Sequence, residues 1–78
     1  MISEELKALF CTTLEVSGDL FNEDLAIGDI PQWDSLAQVN LLMSVEEHFN
    51  IAFDAADAIE VETISDLIDL TEKYTLEK

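Results

Sequence analysis

The chain has 78 residues, 18 of them Asp or Glu against only 3 Lys, for a formal charge of −15. The cations are Lys7, Lys73 and Lys78, so residues 8–72 hold none; this excludes nucleic acid, whose binding needs cations that displace counterions from phosphate, and it disfavours an anionic membrane surface. A basic protein partner suits such a charge, which steers encounter more than it deepens affinity.

At this length there is room for one domain, residues 1–78, burying roughly 60 to 65% of the surface its unfolded chain exposes. A hydrophobic fraction of 49% is enough for it to fold. No basic n-region followed by an apolar h-region opens the chain, and no apolar run approaches the length of about 18 residues that spans a membrane. Cys11 has no partner for an internal disulfide. A soluble, cytoplasmic protein is the expectation, with Cys11 a structural thiol that no basic neighbour activates.

In chain order, Ser3 is the expected N-cap of a first helix, with Glu4 and Glu5 suiting the positive end of its dipole. Leu6, Leu9, Phe10, Thr13 and Leu14 follow the i, i+3, i+4 rhythm of one buried face, and Gly18 is the expected stop. Residues 19–34 show neither alternation nor a helical stripe and form a long loop. Its apolar residues Leu20, Phe21, Leu25, Ile27 and Ile30 pin it to the core, so it is ordered. A second helix runs over Ser35–Phe49, with Asn50 as its stop and His48 facing the negative end of the dipole. Residues 51–61 hold one helical turn or two. Thr63 then opens a last helix in the capping-box spacing with Asp66, followed by Ile64, Leu67, Ile68 and Leu70. The fold class is all-α: a small four-helix bundle of three main helices and one short one, with a long first loop.

The second helix carries more apolar surface than one core contact needs. At about 100° per residue, Leu41, Leu42, Val45 and Phe49 make one stripe. Leu36, Val39 and Met43 make another, either covered by Ile59, Val61 and the loop or open to a partner. Met43 is the adaptable kind of residue found on surfaces with several partners, and Glu46 and Glu47 rim the stripe as at an interface. At the head of the helix stands Asp34-Ser35-Leu36. Ser35 with Gln38 fits a capping box. A serine there is also well placed to carry a phosphate ester, since that end of a helix favours anions. With one His, one Cys and no Arg, neither a His-based triad nor a zinc site can be assembled; His48 reads as a solvated helix-face residue.

In these respects the sequence resembles the acyl carrier protein family over nearly its whole length. The resemblance rests on Trp33-Asp34-Ser35-Leu36, on Val39, Leu42, Met43 and Glu46-Glu47 before Phe49, on the four-helix layout, and on the small Ala58 in the short helix. It implies that Ser35 bears a covalent 4′-phosphopantetheine arm, with Trp33, Asp34 and Leu36 as motif neighbours, and that the arm holds an acyl group as a thioester. Implied partners are a phosphopantetheinyl transferase, an acyl- or aminoacyl-loading ligase, and acyl-processing enzymes with basic patches. These would meet Leu36, Val39, Met43, Glu46, Glu47, Asp57, Ala58 and Glu60 of a monomeric, non-catalytic carrier. The chain departs from familiar members at Gln32, where a glycine is usual, at neutral Ala37 and Asn40, and at Asp54, where a proline is common; it looks like a specialised stand-alone carrier. An aminoacyl, peptidyl or D-alanyl carrier shares the modified serine. An unmodified acidic module binding a basic protein is the reading from another class.

Overall fold

The computed structural model describes residues 2–76. Four helices follow in order: α1 over Ile2–Leu14, α2 over Ser35–Phe49, α3 over Ala55–Ala58 and α4 over Ile64–Leu76. An isolated antiparallel bridge between Ala26 and Thr63 is the sole β pairing among the described residues. The expected four-helix layout is present, with one short helix and a long first loop.

Helix α1 buries Leu6, Phe10 and Leu14, which recur every four residues along its apolar stripe, while Leu9 and Thr13 flank them half-buried. Two expectations at its ends fail. Ile2 is already helical, so Ser3 lies inside the first turn and is not the N-cap. The stop is Glu15, not Gly18: Glu15 takes the left-handed conformation (φ 57°), and Val16 N–H reaches back to the Cys11 carbonyl at 3.1 Å. That six-to-one closure satisfies an end carbonyl and turns Val16 toward the core without a glycine. Gly18 instead starts a single 3-10 turn, Gly18–Leu20, capped by Ser17. Asn50 ends α2 as expected, in the left-handed region at φ 55°.

The long loop is stitched to the start of α4. Ile27 N–H donates to the Glu62 carbonyl at 2.8 Å, and Ile64 and Ser65 N–H donate back to Leu25 and Glu23 at 3.0 and 3.2 Å. Gly28, at φ 91°, makes a turn that a side chain would strain, and its N–H closes on the Trp33 carbonyl at 2.8 Å. Thr63 and Asp66 form the expected reciprocal box: Asp66 N–H donates to Thr63 Oγ1 at 3.1 Å, and the Asp66 carboxylate accepts from Thr63 N–H at 3.2 Å.

The core gathers Leu6, Phe10 and Leu14 from α1, Leu25 and Trp33 from the loop, Leu41 and Val45 from α2, and Val61, Ile64 and Leu67 from the last segment. Phe10 is its hub, meeting Trp33 edge-to-face at 5.3 Å and Phe21 at 5.5 Å. Cys11 is half-buried beside this cluster. Across the α1–α2 contact, Thr13 hydrogen-bonds to Ser44 and His48 Nε2 lies 3.2 Å from Glu5 at the surface. Among the described residues, no helix is long and apolar enough to cross a membrane.

Candidate functional site

Asp34, not Ser35, caps α2. Its backbone is extended and its carboxylate accepts from the Ala37 N–H at 2.9 Å, which makes Ser35 the first helical residue. The Ser35–Gln38 capping box therefore does not form. Two cap-forming residues stand side by side, each with a residue three positions on; the carboxylate takes the role because Gln38 is needed elsewhere. The Gln38 amide is buried, accepting from the Trp33 indole N–H at 2.8 Å and donating to the Val61 carbonyl at 3.0 Å. The consequence falls on Ser35. Relieved of capping, its side chain is exposed and makes no hydrogen bond among the described residues, at the positive end of a 15-residue helix.

Trp33, a motif neighbour of Ser35, is packed in the core and 0% exposed. It sets the position of Ser35 from below: its ring packs on Phe10 and its N–H anchors Gln38, so the first turn of α2 is locked onto the core.

The second apolar stripe is open. Leu36, Val39 and Met43 are 71, 54 and 60% exposed, and they run down one face of α2 from the residue after Ser35. Ile59, one of the residues that could have covered them, is itself 81% exposed. It joins the exposed apolar residues of this part of the chain. Residues 35–45 hold no charged side chain in a chain that is 27% charged.

The acids divide. Glu47 and Glu60 are exposed. Glu46 turns aside to accept the Phe53 N–H at 2.8 Å. Asp57 accepts the Tyr74 hydroxyl proton at 2.7 Å and has Lys73 Nζ at 3.9 Å, so it faces α4. Ala58, the small residue of α3, is half-buried. An open depression of about 280 Å³ lies beside Asp57 and Glu60, walled by Asp66, Asp69 and Leu70.

A helical bundle that presents an unengaged serine at the tip of its second helix, beside an apolar strip, has the layout of a prosthetic-group carrier. A family model described as the phosphopantetheine attachment site matches residues 4–71. The acyl carrier protein of Buchnera aphidicola subsp. Acyrthosiphon pisum (strain Tuc7) is 32% identical over 78 residues, covering 99% of this chain and 96% of that protein, and its strain 5A counterpart is 31% identical over the same span. The solution structure of a holo acyl carrier protein from Geobacter metallireducens superposes with a TM-score of 0.86 at 27% identity, over 96% of this chain and 86% of that one. This chain belongs to the acyl carrier protein family, and its prosthetic group is phosphopantetheine. The first turn of α2 fits that group: an exposed hydroxyl to esterify, and amides whose dipole favours a phosphodiester.

Proposed function

We propose that this chain, as one carrier domain over residues 1–78, holds acyl intermediates as thioesters on a 4′-phosphopantetheine arm attached to Ser35. The observation that carries the reading is the exposed Ser35 hydroxyl, freed from capping by Asp34 and fixed from beneath by Trp33 and Gln38. When attached, the arm supplies the thiol that bears the cargo. The chain's own residues do the rest: Asp34 starts the helix, Leu36, Val39 and Met43 offer a partner an apolar contact, and Glu47 and Glu60 steer basic patches toward it. A phosphopantetheinyl transferase, a loading ligase and acyl-processing enzymes are the partners this surface serves, in the cytoplasm and with the carrier as a monomer.

The test is direct. Incubated with coenzyme A and a broad-specificity phosphopantetheinyl transferase, the protein gains one phosphopantetheine by mass and Ser35→Ala gains none. An unchanged mass overturns the assignment and leaves an unmodified acidic interaction module, and an equal gain in Ser35→Ala overturns it by putting the arm on another residue.

A further inference from the structure

Helix α3 is held in an unusual way. None of its four residues is fully buried, Ile59 after it is 81% exposed, and Asp54 at its N-cap makes no side-chain cap hydrogen bond. One turn of helix with so little apolar burial does not persist unaided, because nucleation is costly and only tertiary contacts offset it. Apolar burial holds residues 53–61 only at the ends, where Val61 joins the core and Phe53 packs against it; the polar contacts come from other helices. From α2, Glu46 accepts the Phe53 N–H and Gln38 donates to the Val61 carbonyl, which fixes the two ends of the segment. Between those ends α4 supplies Tyr74, beside the longer Lys73–Asp57 ion pair at 3.9 Å. The Tyr74 hydroxyl accepts the Asp54 N–H at 2.9 Å and donates its own proton to Asp57 at 2.7 Å. Its ring meets Phe53 edge-on at 5.1 Å.

We propose that Tyr74 is the positioning residue of the docking surface: its hydroxyl pins α3 at the N-cap and at the third helical residue, and so sets where Ile59 and Glu60 are presented to a partner enzyme. The docking half of this proposal rests on the carrier reading above; the pinning half does not. Asp57, expected to touch partners, then acts inward as the acceptor of the pin. Glu60, exposed and with no side-chain hydrogen bond among the described residues, is left as the outward charge of this segment.

The hydroxyl's ionisation agrees with this geometry. The Asp54 N–H pulls its pKa down, but the hydrogen bond to Asp57, desolvation, and the charges of Asp57 and Asp54 outweigh that and raise it above the ordinary 10.0. A raised tyrosine pKa contributes stability that is present below pH 10 and lost as pH climbs through the higher folded value. Asp54, Asp57 and Lys73 all face the group and are common to wild type and Tyr74→Phe, so the difference between the two chains isolates the hydroxyl.

Tyr74→Phe keeps the ring against Phe53 and removes only the pin. Hydrogen exchange followed by NMR should show the amides of Asp57, Ala58 and Ile59, which bond to Asp54 and Ala55 carbonyls, losing protection by at least roughly two- to tenfold, the net worth of one of the two hydrogen bonds removed. Protection at Leu41 and Val45 should be unchanged, which shows that the variant is folded. With the same transferase and coenzyme A, KM for the carrier should rise by a similar factor while kcat stays level. Unchanged protection at residues 57–59 overturns the pin, and lowered protection with an unchanged KM overturns its role in docking. A wild-type chain that takes no phosphopantetheine overturns the carrier reading instead, and the exchange measurement still decides the pin.

Discussion

The two faces of α2 are made of similar material and meet opposite fates. The inward face buries Gln38, Leu41 and Val45, one polar residue among two apolar ones; the outward face leaves Leu36, Val39 and Met43, all apolar, more than half exposed. Apolarity alone would rank them the wrong way round. What decides is the company each face keeps: Phe10 and Trp33 stand opposite the inward face, and the indole N–H of Trp33 needs the acceptor that Gln38 provides. The outward face contributes little to folding, and that leaves it free to serve a partner.

Breaking the inward face should cost the most. Leu41→Ala removes a fully buried side chain and should destabilise by about 3 to 4 kcal/mol. In a domain whose total stability is of order 3 to 5 kcal/mol, chemical denaturation should find the variant largely unfolded at rest. A loss below about 1 kcal/mol would mean that the core is not where the faces divide. Gln38→Ala should follow at about 2 to 3 kcal/mol, since it strands the Trp33 N–H and the Val61 carbonyl as buried groups without partners. That loss should appear with a changed tryptophan fluorescence, because Trp33 is the only tryptophan.

The other buried polar residue sharpens the point by going the opposite way. Thr71 on α4 is 0% exposed, and its hydroxyl has no hydrogen-bond partner among the described residues. Thr71→Val should therefore stabilise by about 1 kcal/mol, read as a higher denaturation midpoint with an unchanged slope. A loss would show that the hydroxyl is satisfied in solution, which would make Thr71 a second Gln38.

These contrasts explain what the sequence could disclose. Helical periodicity found the stripes of α1 and α2, and the Thr63–Asp66 spacing found the start of α4, because in each case the signal and the contact lie within a few residues of one another. Ser35 stood out as the proposed point of attachment through its neighbours Asp34 and Leu36. The cap itself was misplaced by one residue, because Asp34 and Ser35 are equally good candidates until Trp33 draws Gln38 inward. One signal could have found Gln38: at 100° per residue it lies about 20° from Val45, within the core stripe. The pin on α3 had none, since Tyr74 and Asp57 are 17 residues apart with no periodic relation. Glu15 in the left-handed region was equally hidden, since the closure through Val16 determines the stop and Gly18 only looks the part.

The smallest expected effect on stability is the most telling. Met43 is 60% exposed, so truncating it removes contacts that the folded chain scarcely makes, and Met43→Ala should change the unfolding free energy by no more than about 0.5 kcal/mol. Its effect on a partner should be larger. A methionine that becomes buried at an interface contributes through its apolar area and its adaptable shape, so transferase KM for the variant should rise severalfold while kcat holds. The pair of readings matters more than either one. A stability loss approaching that of Leu41→Ala would place Met43 in the core and remove the distinction between the faces. Unchanged stability with an unchanged KM would keep the faces distinct but shift the docking contact toward Ile59 and Glu60. Only a stable variant with a raised KM shows that the outward stripe of α2 is kept apolar for partners rather than for the fold.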